Sequence, residues 1–126
     1  MNIYVKTKGN MVGLVLTGNH NKVCYYKAFK TQTTNPEAQT ILATQRAVSY
    51  VEVNKSINVP DTINIYSDKK IDMEKLHNDE YIKRHRFNFV QKEVETEQEK
   101  QRMLLARVEI DMETSRKSLF IKSIER

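Results

Sequence analysis

The chain has 126 residues, 39% of them hydrophobic and 29% charged, and 21 lysines and arginines against 16 acids give it a net charge of +5. That length suits one domain with an ordinary buried core, and residues 1–126 are read as a single domain. No apolar run approaches the roughly 20 residues that span a bilayer. The opening MNIYVKTKGN has no apolar signal core, so the cytoplasm is the expected location. A lone cysteine, Cys24, excludes an internal disulfide.

NIYVKTK, residues 2–8, alternates in polarity and is rich in β-branched and aromatic residues, which predicts a strand closed by the turn pair Gly9-Asn10. MVGLVLT, residues 11–17, predicts a second strand, followed by the turn signal Gly18-Asn19-His20-Asn21. VCYYKAFKT, residues 23–31, predicts a third, with Val23, Tyr25, Lys27 and Phe29 on one side and Cys24 half-buried. Three strands joined by tight turns make an antiparallel meander. Asn35 is a good helix N-cap, Pro36 suits the first helical position and Glu37 the first turn. The helix should run from about Pro36 to Tyr50 or a little beyond, burying Ile41, Leu42, Val48 and Val51 with Ala38 and Ala47 alongside. After the loop SINVPDT, residues 62–68 read as a fourth strand, parallel to an earlier one through a right-handed crossover. Residues 71–79 predict a short helix and residues 86–91 a fifth strand. A long helix over about residues 93–122 has Leu105, Val108, Met112 and Leu119 as its apolar stripe. The expected fold class is α/β, a five-stranded mixed sheet with helices and a long C-terminal helix.

Charge is unevenly spread. Residues 1–36 hold Lys6, Lys8, Lys22, Lys27 and Lys30 and no acid, and a second basic cluster covers Lys83, Arg84, His85 and Arg86. An all-cationic first third suggests a surface for an anionic partner, nucleic acid first in line, or lysines that keep sheet edges soluble. Tyr4, Tyr25 and Tyr26 are candidates for stacking on bases, or plain members of the sheet. His20, His77 and His85 are too scattered in the sequence to suggest a metal site.

GNMVGLVLTGNHNKVCYYKAFKTQTTNPEA, INIYSD, and FNFVQKE followed by EKQRMLLAR resemble, in that order, the hairpin region, the second aspartate strand, and the last strand and final helix of the ribonuclease H family. The resemblance implies a ribonuclease H-like fold and hydrolysis of the RNA strand of an RNA–DNA hybrid by two metal ions held on four acids. Carried over by position, Asp68 matches the second aspartate and Glu37 lies near the glutamate, although counting on from TTN reaches Gln39. Lys6 stands where the first aspartate belongs and Met103 where the fourth acid belongs, and QKEV replaces the histidine loop. The resemblance thus makes Glu37 and Asp68 remnants of a catalytic and metal-binding set; read without it, Asp68 is a strand-ending residue that caps the next turn and Glu37 a first-turn acid that complements the helix dipole. Magnesium needs hard oxygen ligands, and a lysine at the central position would repel the ion and pair with Asp68 instead.

The expectation is a non-catalytic module that binds hybrid or duplex nucleic acid. Lys6, Lys8, Lys27, Lys30, Thr34, Asn35, Lys83, Arg84 and Arg86 are its candidate contacts. No cofactor is expected, with Mg²⁺ or Mn²⁺ relevant only to residual nuclease activity using Glu37, Asp68 and an acid such as Asp72. The alternative is an interaction, inhibitor or assembly module, of the kind found in phage or mobile elements. It would meet a partner or a second copy through the final helix and its tail, Leu119, Phe120, Ile121 and Ile124.

Overall fold

The structure is a computed structural model describing residues 1–54, 62–85 and 87–124, with side chains described as far as residue 116. Arg86, most of the SINVPDT loop and the side chains of the C-terminal tail lie outside the described residues. The elements are β1 (Asn2–Lys8), β2 (Met11–Thr17), β3 (Val23–Lys30), α1 (Pro36–Val53), β4 (Thr62–Ser67), α2 (Met73–His77), α3 (Glu80–Arg84), β5 (Asn88–Lys92) and α4 (Glu97–Ile124). They form a five-stranded sheet in the order β3-β2-β1-β4-β5. β1, β2 and β3 pair antiparallel, while β4 adds parallel to β1 and β5 parallel to β4. No helix among the described residues is long and apolar enough to cross a membrane.

Alternation along the strands divides the core into two layers. Ile3, Val5, Val12, Leu14, Leu16, Ile63, Ile65 and Phe89 face α1, α2 and α3, whereas Tyr4, Val15 and Tyr66 face α4. A bulge beside Leu16 and Thr17 shifts the register of β3. Val23 therefore turns to the α4 layer while Tyr25 and Phe29 stay on the α1 layer, which corrects the one-sided reading of that strand. Gly9 takes a positive φ of 60° in the β1–β2 turn, a conformation that glycine adopts without steric cost.

Helix α1 begins as the sequence predicts, with the Asn35 side chain accepting from the amides of Glu37 and Ala38. Its buried face differs from the expected one. Gln39, Thr40, Ala43, Thr44, Ala47, Val48 and Val51 face the sheet, Ile41 is half-buried and Leu42 is exposed. The threonine hydroxyls are satisfied within the helix, Thr40 donating to the Pro36 carbonyl and Thr44 to the Thr40 carbonyl. That satisfaction lets small polar residues sit in the core.

Residues 71–79 do not form one helix. Asp72 caps α2 and Asp79 caps a second short helix, α3, by accepting from the Ile82 amide. Asp79 also accepts two hydrogen bonds from Gln45 Nε2, which anchors this restart to α1.

Helix α4 starts at Glu97 on a reciprocal cap: the Glu99 amide donates to Thr96 Oγ1 and the Thr96 amide to Glu99 Oε1. It crosses the sheet closely where Gly13 leaves room. A Cβ at Gly13 would collide with the Ala106 carbonyl oxygen and stand 2.8 Å from its carbonyl carbon. The buried face of α4 is Ala106, Glu109 and Ile110, with Met103 and Leu105 half-buried beside them. Val108 and Met112 of the expected core stripe are exposed, together with Leu104.

Candidate functional site

The chemistry-bearing residues meet where β1 and β4 end. Parallel pairing sets Val5 beside Ser67, so Lys6 and Asp68 leave neighbouring strands at the same level. The Asp68 amide donates to the Val5 carbonyl at 3.2 Å. Its carboxylate accepts from the Thr7 amide at 3.3 Å and from the Thr7 hydroxyl at 3.3 Å, and Lys6 Nζ lies 3.6 Å from Oδ2. With its side chain only 10% exposed, Asp68 depends on these partners, because a carboxylate taken from water needs paired charge and hydrogen bonds.

Glu37 is turned away to a different partner. Its carboxylate accepts from the Asp72 amide at 3.0 Å and pairs with Lys75 at 2.9 Å. Lys75, then that amide, hold the Glu37 carboxyl below its ordinary range, and Glu37 in return raises the Lys75 ammonium. Gln39, the residue reached by counting from TTN, is fully buried. Its amide nitrogen donates to the Gly9 carbonyl at 2.8 Å, to Thr31 Oγ1 at 3.1 Å and to the Thr33 carbonyl at 3.1 Å. It thereby ties the β1–β2 turn to the loop before α1.

Met103 packs against the Tyr4–Tyr66 pair, whose rings stack at 4.7 Å. The Tyr66 hydroxyl donates to Glu99 Oε2 at 2.8 Å, and burial together with that carboxylate pushes the phenol well above its ordinary range. Among the described residues, no three His, Cys, Asp or Glu side chains are grouped so as to hold a metal ion. Asp72 serves as the α2 cap, and His85 pairs with Glu52 at 2.8 Å. Cys24 donates to the Leu16 carbonyl, and burial pushes its thiol up, away from the thiolate a nucleophile requires.

The nominated cations fall into separate groups. Lys8 is in register with Met11 and Met11 with Lys30, so Lys8 and Lys30 share a row on the α4 side at the end where Asp68 lies. Lys8 is paired with Asp111 at 3.4 Å. Exposed Thr34 and Asn35 lie in the loop at that same end. Lys27 is on the α1 side of the edge strand, opposite Leu14. Lys83 and Arg84 lie on α3, which runs along α1 towards Glu52 and the end where β4 and β5 begin. They therefore sit far from Asp68. Of the three candidate stacking tyrosines, Tyr4 is fully buried, and half-buried Tyr25 stacks on Tyr50 at 4.5 Å. Tyr26 is exposed.

Among solved structures, the chain matches LC11-RNase H1, isolated from compost by a metagenomic approach. The TM-score is 0.55 at 18% identity, over 90% of this chain and 96% of that one. The fold is ribonuclease H-like. A second match, RNase H1 from the halophilic archaeon Halobacterium salinarum NRC-1, has a TM-score of 0.46 at 16% identity, over 88% of this chain and 98% of that one. No protein-family model and no curated protein matches the sequence.

The ribonuclease H-like sheet also brings together residues that the sequence reading left out of the site. Lys69 and Lys70 follow Asp68, and Lys92 ends β5 in register with Tyr66. All three line a cleft of about 370 Å³ with Ser67, Asp68 and Glu93. The dipeptide behind Asp68 is visible in the sequence, but only the parallel pairing of β4 with β5 brings Lys92 to it.

Proposed function

We propose that this ribonuclease H-like chain binds hybrid or duplex nucleic acid without cleaving it. The observation that carries the reading is the Lys6 ammonium 3.6 Å from the Asp68 carboxylate. Two-metal hydrolysis needs several carboxylates converging on the ions. Here Asp68 is held by Lys6 and Thr7, Glu37 by Lys75 and the Asp72 amide, and Met103 fills the α4 position with an apolar side chain. That donor set does not fit a pair of magnesium ions. At the same end of the sheet, Lys30, Thr34 and Asn35 supply contacts to phosphates and to the backbone, as does Lys8, whose exposed pairing with Asp111 is weak enough to exchange. LC11-RNase H1 bears the name ribonuclease H1, and the fold shared with it supports a nucleic-acid partner for this chain.

The test is a titration against labelled RNA–DNA hybrid, duplex DNA and duplex RNA at low and high salt, with and without Mn²⁺, followed by a denaturing gel. Neutralising two phosphates with Lys8 and Lys30 predicts an affinity loss of about 12-fold for a fourfold rise in salt. Intact substrate with that salt dependence supports the reading, whereas Mn²⁺-dependent cleavage overturns it.

A second reading is favoured by α4. Leu104, Val108 and Met112 are exposed at successive four-residue spacings, flanked by Arg107 and Asp111. An antiparallel pair of such helices would bury the stripe and set Arg107 of one copy near Asp111 of the other. Light scattering on the wild type and on Val108→Asp tests it: a dimer that the substitution dissociates supports this reading, and a monomer at all concentrations rejects it.

A further inference from the structure

We propose that the cleft at the ends of β4 and β5 receives a terminal phosphate monoester, with Lys69, Lys70 and Lys92 as its ligands. This deepens the reading above and rests on its assignment of Asp68 to Lys6, since a metal ion on Asp68 would claim the same space.

Ion pairs engage Lys6, Lys8, Lys75 and Lys100, but among the described residues no carboxylate lies within ion-pair distance of Lys69, Lys70 or Lys92. These three line one concave space of about 370 Å³. Of the two acids lining this cleft, Asp68 is taken up by Thr7 and Lys6, which leaves Glu93. Glu95 and Glu99 stand on the far side of Lys92, in the adjoining cleft, where Tyr66 and two backbone amides hold Glu99. Within the cleft lining itself, three ammonium groups against one carboxylate leave an excess of two positive charges. A phosphate monoester carries about −1.5 to −2 at neutral pH, close to that excess, whereas a bridging phosphodiester carries a single charge. The Ser67 hydroxyl, which accepts from the Lys69 amide at 3.2 Å and stands 3.4 Å from Thr40 Oγ1, adds a polar group to the lining. The cleft exceeds the size of a phosphate alone and falls within the range of about 300–1,000 Å³ usual for small-ligand sites. It therefore has room for part of the attached nucleoside.

Two sources offer this chemistry, the phosphorylated end of a nucleic acid strand and a free mononucleotide. The test compares a short fluorescent RNA–DNA hybrid with a 5′-phosphate against the same hybrid with a 5′-hydroxyl. Adenosine 5′-monophosphate and adenosine are used in parallel, both as competitors and in direct calorimetric titration. Charge-assisted contacts to the extra charge predict about tenfold or greater preference for the phosphorylated hybrid. Lys69→Gln/Lys70→Gln and Lys92→Gln should abolish the preference, while Lys30→Gln weakens both hybrids equally and keeps it. Competition by the monophosphate at comparable concentration identifies a free nucleotide as the ligand, and competition by phosphorylated ends alone identifies the strand terminus. Equal binding of phosphorylated and hydroxyl hybrids overturns the cleft assignment while leaving general nucleic-acid binding intact. If no hybrid binds at all, the broader reading fails. The calorimetric arm then decides the cleft: monophosphate binding that the lysine variants lose sustains it, and no binding rejects it.

Discussion

Lys6→Asp tests the centre of the site. In the native chain, Lys6 Nζ and the nearer Asp68 oxygen are 3.6 Å apart. At an effective dielectric of ~20 that separation is worth about 4–5 kcal/mol of gross attraction, most of it offset by the solvation both groups give up. The substitution removes the attraction and places a second carboxylate near the first. At about 5 Å the repulsion is about 3 kcal/mol on the same scale, reduced by the water that reaches position 6. The expected net loss at pH 7 is about 2–3 kcal/mol, equivalent to a melting temperature lower by about 8–11 °C for a chain of this length. The two facing acids would also titrate upward, so the folded variant would bind more protons than the unfolded chain between their unfolded and folded pKa values. Its stability therefore recovers as pH falls from 7 towards 5. Excess Mn²⁺ should raise its melting temperature and leave the wild type unmoved, because only the variant offers paired carboxylates. Lys6→Met is the control, losing the attraction without adding repulsion or a metal response. Thermal melts of the three proteins at pH 5 and 7, with and without Mn²⁺, give the reading. A Lys6→Asp protein that melts with the wild type and ignores metal would refute the claim that Lys6 decides the electrostatics here.

Three further substitutions probe what holds the site in place. Gly13→Ala drives a methyl group into the Ala106 carbonyl, so α4 must lift; a loss of about 1–3 kcal/mol in urea unfolding is expected for such overpacking. Gln39→Glu replaces an amide that donates to two carbonyls with a group that can donate only when protonated, so the variant should be destabilised at pH 7 and should regain stability on acidification, as followed by melting temperature against pH. Glu99→Gln removes a carboxylate that the amides of Glu95 and Thr96, with Tyr66, hold below its ordinary value of 4.5. A depressed carboxyl contributes stability above its unfolded pKa and loses it as pH falls through the folded one, so the melting gap to wild type should be constant from neutral pH to about 4.5 and close below it.

The parts of the fold that were legible in the sequence depend on local signals. Period-two alternation located β1 and β4, a short run of strand formers between two turn signals located β2, and Asn35-Pro36-Glu37 marked the start of α1 with the cap and first-turn residues observed. The α1 face was misjudged because hydrophobicity ranked Ile41 and Leu42 above Thr40 and Thr44. The helix instead satisfies those threonine hydroxyls on its own carbonyls, which makes their burial cheap. The α2–α3 break depends on Asp79, whose capping bond to Ile82 is local but whose anchor on Gln45 is 34 residues away in the sequence.

The site shows the same limit more sharply. Asp68 and Lys6 could be paired from sequence because a known strand order implied their adjacency, whereas the partners of Glu37 could not. Position 37 reads as an acid close to the expected one, yet the structure gives its carboxylate to Lys75 of α2 and the amide of Asp72, which caps that helix, and the sequence does not fix where α2 lies. Gln39, at the counted position, faces carbonyls that require a donor, which its amide nitrogen supplies while its Oε1 stays buried without a partner. The lysines nominated for their acid-free surroundings in sequence, Lys6 and Lys8, are matched in space by Asp68 and by Asp111, which lies 103 residues further along. Among the described residues, Lys69, Lys70 and Lys92 have no carboxylate within ion-pair distance, and no count of neighbours along the chain would join Lys92 to the other two. Net charge along a sequence thus locates cations but not the free ones, because pairing across a sheet decides which ammonium groups remain available to a ligand.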